Sequence, residues 1–198
     1  MKATILNLLD EHIEIMHQVK TLAPKIEQAA LQMLAAINKG GKILWMGNGG
    51  SAADSQHLAA ELIGRFKIER RAIASIALTT DSSILTCLSN DYDYSIIFSR
   101  QLEALCGAND VVIGITTSGN SANVIKGIKT AKEKGAFTIG LAGHEGGELA
   151  NVADLCLTVP ANVTARIQEG HIFIGHTMCE LLEHAVSLQT NQQHAEVI

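Results

Sequence analysis

Apolar residues recur at three- and four-residue steps from the beginning of the chain: Ile5, Leu8, Leu9, Ile13, Met16 and Val19 share the spacing of one helix face. The pattern predicts helix from residue 3 to about 38, broken at Pro24. Its second part, AALQMLAAINKG, ends at Gly40 and Gly41 as a C-terminal cap would. Helices placed before the first strand need a surface to cover. Their apolar stripe suits another subunit as well as the chain's own sheet.

From Gly41 onward the pattern changes. Short, continuous apolar runs at 43–46, 73–78, 111–115, 137–141 and 155–159 alternate with amphipathic stretches. Unbroken apolar strands joined by helical crossovers indicate a parallel sheet covered on both faces. After Pro160 one long pattern, from about Val163 to Leu188, predicts a closing helix. No internal repeat, low-complexity run or linker divides the 198 residues. The expected organisation is a single α/β domain over 1–198, with N-terminal helices over 1–40 and an α/β sandwich over 41–198.

Charge and cysteine usage narrow the class. A formal net charge of -5 without a lysine or arginine block argues against a nucleic-acid footprint. Acids and histidines interrupt the first twenty residues too early for a signal-peptide core, and no apolar run reaches membrane-spanning length. The expectation is a cytoplasmic protein with small-molecule or protein partners, no nucleic acid and no membrane. Cys87, Cys106, Cys156 and Cys179 stand singly in apolar surroundings, the pattern of buried, inert thiols rather than of a zinc knot or disulfide scaffold.

Parallel α/β sheets bind ligands beyond the C-terminal ends of their strands, where backbone N–H groups and helix N-termini create positive potential. Two strand ends have fitting compositions. After 43–46 come Gly47, Asn48, Gly49, Gly50 and Ser51; glycines admit a ligand close to the backbone, and Ser51 could cap the helix or donate to a phosphate. After 111–115 come Thr116, Thr117, Ser118, Gly119, Asn120 and Ser121. One such loop is often only a tight connection; two on neighbouring strands favour a phosphate site. Gly47, Gly49 and Ala52 also fit a G-x-G-x-x-A dinucleotide fingerprint. The acid that fingerprint needs, here Asp81, lies too far along the chain, and the hydroxyl-rich second loop suits a compact phosphate better.

Helical geometry places His57 and Glu61, four apart, on one face of the helix leaving the first loop. They could form half of a metal site, an acid–base pair, or a surface hydrogen-bonded pair. Asp54 and Arg65 on that face read as solvated charge. The closing helix carries Arg166, Gln168, Glu169, His171 and His176 inside an apolar pattern. Gln168 and His176 differ by about 80° in helical phase, so geometry does not choose among these residues. Polar groups in a half-buried helix need partners, and backbone carbonyls would serve a core histidine. Asn90 and Asp91 read as turn residues.

Four segments, GNGGSAADSQHLAAELIGR, the Asn90–Asp91 pair, TTSGNSANV and ARIQEGHIFIGH, together resemble the phosphoheptose isomerases of the sugar isomerase (SIS) domain group, over essentially the whole chain. The resemblance implies a flavodoxin-like SIS fold with a five-stranded parallel sheet and a homotetramer with active sites at subunit interfaces. The implied reaction converts sedoheptulose 7-phosphate to D-glycero-D-manno-heptose 7-phosphate through an enediol, the first step toward the heptose of surface polysaccharides such as lipopolysaccharide. By motif, His57, Glu61, Gln168 and His176 match the family's zinc ligands, one zinc per subunit. Asn48, Gly49 and Gly50 match the first substrate loop, and Ser51 is added to them for its place beside the loop, not by the family match. Asn90 and Asp91 match a further substrate contact, and Thr116, Thr117, Ser118 and Ser121 the phosphate loop. Glu61 and His176 occupy the acid–base positions, and Glu61 and Gln168 also face substrate. Some members carry an aspartate immediately before the RIQE arginine, where this chain has Ala165, so no role of that carboxylate transfers. The competing expectation is a non-catalytic SIS regulator resembling the DnaA initiator-associating protein. That group lacks the GGS form of the first loop and the carboxylate of Glu61, both present here. An SIS protein acting on another phosphosugar is a third.

Overall fold

A computed structural model describes residues 1–195, with side chains described through residue 189. Five strands form one parallel sheet: β1 (Ile43–Gly47), β2 (Ser75–Ala77), β3 (Val111–Thr116), β4 (Phe137–Ala142) and β5 (Leu155–Thr158). Their spatial order is β2-β1-β3-β4-β5, the doubly wound, flavodoxin-like arrangement in which the winding reverses between β1 and β3. Ile43 pairs with Val111 and Gly47 with Ile115 across that reversal. Both predicted loops therefore leave the sheet at the same crevice.

Every residue of β1 and β3 is buried, as expected for central strands covered on both faces. The predicted strand over 73–78 narrows to three residues at the sheet edge. Ile76 faces solvent while Ser75 and Ala77 face inward, so only one face is covered. Ile73 and Leu78 are buried, and their N–H groups donate to Leu62 and Trp45 carbonyls.

The helices are α1 (Lys2–Val19), α2 (Ala23–Asn38), α3 (Gly50–Ile63), α4 (Ser82–Asp91), α5 (Ser99–Leu105), α6 (Ala122–Glu133), α7 (Gly147–Val152) and α8 (Thr164–Ala195). One core packs Trp45, Ile113 and Leu141 against Met33 of α2, Leu58 of α3 and Met178 of α8. The other packs Leu44, Met46 and Val112 against Leu88, Leu102, Ile128 and Leu149 from α4 to α7. Pro24 does not end the first helix. A single 3-10 turn at Lys20–Leu22 separates α1 from α2, and Pro24 sits in the first turn of α2, where its missing N–H leaves no hydrogen bond unmade. Asn90 and Asp91, expected in a turn, are the last residues of α4.

Val19 is the buried residue of α1, while Ile5, Leu8, Leu9 and Ile13 are exposed. Burying such side chains yields about 1.5–3 kcal/mol each, a gain this chain alone leaves unrealised. The segment from Gly64 to Ala72, between α3 and β2, is clamped from α8. The Glu183 carboxylate accepts from the N–H groups of Phe66, Lys67 and Ile68. Arg70 donates to the carbonyls of Glu61, Leu62 and Gly64. Burial works to raise the Glu183 pKa, but the three N–H donors and Arg70 outweigh it and hold the carboxyl below its usual range.

Cys106, Cys156 and Cys179 are buried, as expected; Cys87 is exposed. It lies on the solvent side of α4, where Leu88 takes the core position. Burial pushes the Cys106 thiol up to about 11 and that of Cys179 to about 12.

Candidate active site

The crossing of α3 and α8 builds the site. Gly50, Asp54, His57 and Glu61 follow one another along α3 at helical spacing, and α8 meets that stripe at two levels. At the upper level, nearest the β1 loop, a Cβ on Gly50 would come within 2.3 Å of Gln168 Nε2. Only glycine lets the amide lie there. At the lower level, His57 Nε2 is 2.9 Å from His176 Nε2 and 3.3 Å from Glu61 Oε1. The three side chains present ligand atoms within 4.8 Å of one another. The Phe66 ring, 5.3 Å from that of His176 by centroids, covers one side.

The candidates on α8 go to four different partners. Gln168 reaches Gly50 and His176 reaches His57. Glu169 binds His12 Nδ1 at 2.7 Å and also takes Arg166, tying α8 to α1. His171 is fully buried and donates Nε2–H to the Ala142 carbonyl at 2.9 Å; burial drives its pKa down to about 4, against the pull of that bond. It is the core histidine of the group. Along α8 the two levels lie eight residues, about 12 Å, apart, so the structure brings together His57, Glu61 and His176 and places Gln168 at the β1-loop end. Ala165 is exposed one turn before Gln168.

The β1 loop is held in a strained turn, with Gly49 at φ 55°, a conformation that favours glycine. The Asn48 side chain pairs reciprocally with the buried Asn123 amide at the start of α6, both bonds 2.8 Å, and its Oδ1 also accepts from the Tyr94 hydroxyl. Ser51 is not a cap: α3 begins at Gly50, and Ser51 is buried as its second residue. In the β3 loop, Thr116 Oγ1 lies 2.8 Å from Ser121 Oγ and 3.3 Å from Ser118 Oγ. Three hydroxyls thus gather at the N-terminus of α6, a ready anion site. Thr117 holds the loop through its carbonyl, which accepts from Gly143 N–H. Asn90 and Asp91 bond to each other in the exposed last turn of α4, three residues before the Tyr94 that reaches Asn48.

Two residues went unread in the sequence. Asn123 stands inside the TTSGNSANV motif, and Tyr94 shortly after the Asn90–Asp91 pair; no spacing rule points from either to Asn48. Asp54, expected in solvent, has its Oδ2 buried without a hydrogen-bond partner. Burial raises its pKa and nearby His57 opposes the rise. For His176, burial lowers the pKa, His57 adds to that, and Glu61 opposes it. Arg65 is exposed, as expected.

Known proteins fit this geometry. The SIS domain family matches residues 8–143. A phosphoheptose isomerase of Geobacter metallireducens is 50% identical over 184 residues, 92% of this chain and 97% of that protein. One from Aquifex aeolicus is 55% identical over 168 residues, 85% of this chain and 88% of its own. The chain belongs to the phosphoheptose isomerase family of SIS-domain proteins. The solved phosphoheptose isomerase of Neisseria gonorrhoeae superposes with a TM-score of 0.88 at 43% identity, over 92% of this chain and 98% of that one. The Francisella tularensis enzyme gives 0.89 at 34%, over 92% and 97%. Family membership thus agrees with the expected parallel α/β SIS fold, and the regulator alternative loses its ground.

Proposed function

We propose that this chain is an aldose–ketose isomerase that converts sedoheptulose 7-phosphate to D-glycero-D-manno-heptose 7-phosphate, supplying heptose for a surface polysaccharide. The observation that carries the reading is the His57–Glu61–His176 cluster at the α3–α8 crossing, in a chain 50% identical to a named phosphoheptose isomerase.

The donor set suits zinc. Two nitrogens bound to one tetrahedral ion at about 2.05 Å stand about 3.3 Å apart. The 2.9 Å now separating the two Nε2 atoms needs to open only slightly. His57, Glu61 and His176 would hold the ion; Gln168, the fourth ligand that the resemblance implies, would have to reach it from the level of Gly50. Bound there, zinc would polarise the sugar carbonyl and favour the enediol.

The side chains account for the rest. Thr116, Ser118 and Ser121, with Thr117, hold the phosphate and supply binding energy remote from the reacting carbons. Asn48, Gly49, Gly50 and Ser51 orient the sugar end, with Gln168 across from them and Asn90 and Asp91 at the rim. Glu61 removes the proton from the carbon beside the ketone and returns it to the former carbonyl carbon. With Nε2 turned to the cluster, His176 would give a proton from Nδ1 to the carbonyl oxygen and recover one from the neighbouring hydroxyl. A carboxylate held firmly by a cation is a poor base, so Glu61 would act as the base only when a bound ion released it. The exposed apolar positions Ile5, Leu8, Leu9 and Ile13 of α1 and Phe173 and Leu181 of α8 support burial in a homotetramer. We place the enzyme in the cytoplasm, acting as one unit over 1–198; no described helix is long and apolar enough to cross a membrane.

Incubation with sedoheptulose 7-phosphate should yield the aldose. No conversion, together with measurable binding to the replication initiator, would reverse the assignment.

A further inference from the structure

His57 uses Nε2 for the cluster, facing both Glu61 and His176. Its other nitrogen, Nδ1, has no hydrogen-bond partner among the described residues. A metal-bound imidazole whose second nitrogen is unpaired is free to rotate about its ring bonds and is a weaker ligand than one that donates Nδ1–H to a carboxylate. One turn back on the same helix, Asp54 presents the complementary defect. Its Oδ2 is buried and accepts from nothing, which costs free energy for as long as it remains so.

The two defects are neighbours. Residues three apart on a helix have Cβ atoms about 5–6 Å apart, helical side chains lean toward the N-terminus, and His57 stands near enough to Asp54 to oppose the rise of its pKa. Asp54 also lies on the α3 face between the Gly50–Gln168 contact and the His57–His176 contact. Among the described residues no lysine or arginine pairs with it.

We propose that Asp54 is the positioning residue of the metal centre, accepting a hydrogen bond from His57 Nδ1–H once a divalent cation occupies His57, Glu61 and His176. The cation withdraws electron density from the ring, making Nδ1–H a better donor. Asp54 in return fixes the tautomer that leaves Nε2 unprotonated for the metal. Asp54 touches neither substrate nor metal; it acts through His57. The inference rests on the metal reading proposed above.

The test measures zinc affinity of the full chain by chelator competition for wild type, His57→Ala, Asp54→Ala and Asp54→Asn, alongside the thermal midpoint of each metal-free protein. Asp54→Ala should weaken zinc binding by about 10- to 100-fold, and Asp54→Asn, which keeps an acceptor but not the charge, by less. The metal-free midpoint should hold or rise, since an unpaired buried carboxylate is removed; a merely structural Asp54 would lower it. In 15N spectra of the zinc-loaded wild type, His57 should be protonated at Nδ1, with that resonance displaced in Asp54→Asn. If His57→Ala loses zinc binding while Asp54→Ala retains wild-type affinity, the Asp54 inference is wrong and the metal centre stands. If His57→Ala binds zinc as wild type does, both fall.

Discussion

His57 Nε2 and His176 Nε2 stand 2.9 Å apart across the α3–α8 crossing. Two lone pairs that close repel, so in the metal-free protein one ring donates a proton to the other. A cation bound there would replace that shared proton and bridge two helices whose residues are 119 positions apart. Zinc at a hundredfold excess over its dissociation constant should therefore stabilise the fold by about 2.7 kcal/mol. Calorimetry with and without chelator measures the shift, and His176→Ala should abolish it.

Glu61 carries the carbon-proton transfer in the proposed reaction. Glu61→Gln keeps an oxygen donor but not the base, and kcat should fall by about 10²- to 10⁴-fold. Near-normal turnover with metal bound would sink the assignment.

Gly50 faces the Gln168 amide with no room for a methyl group, a Cβ there lying 2.3 Å from Nε2. The atom displaced is the far end of a flexible side chain, so Gly50→Ala should cost stability no more than about 1–3 kcal/mol. Steady-state kinetics should show the larger effect, as Gln168 is driven out of the sugar end. Unchanged kcat/KM would remove Gln168 from the site.

Much of the fold lay open to reading because β1 and β3 are unbroken apolar runs and the loops after them are rich in glycine and hydroxyls. The edge strand β2 is shorter than its apolar run, because Ile73 and Leu78 are buried beyond its ends and Ile73 bonds to Leu62 of α3 instead of to β1. The site was legible only where its residues sit in local order, as His57 and Glu61 do. The partition of α8 was not, because Gln168, Glu169, His171 and His176 point at α3, α1 and the sheet, and only the packed structure sets that phase. The Asn48–Asn123 pair and the Arg70–Glu183 clamp join positions far apart in sequence, which no periodicity encodes.

That clamp has an acid limit. The folded Glu183 carboxyl titrates below its ordinary value of 4.5, so its contribution is complete above that value and is lost as pH falls through the lower, folded one. Glu183→Ala leaves Arg70 without its carboxylate and three N–H groups unpaired, and should cost about 3–5 kcal/mol. Urea titrations at neutral pH would register the loss.

His171 acts in a higher window. Its ordinary value is 6.5 and its folded value about 4, so stability is full above 6.5. It declines toward pH 4 as the unfolded chain takes up a proton the folded core refuses, by on the order of 3 kcal/mol. In His171→Phe the slope across this window should shrink by about one proton. An unchanged slope would assign the pH dependence elsewhere.

Cys87 stands in the turn of α4 that leads into Asn90 and Asp91, and the other three thiols are buried. The native sequence therefore carries its own attachment point for a single thiol-reactive fluorophore. Such a label would sit beside the proposed substrate rim without any residue being changed, and would follow sugar-phosphate docking in real time.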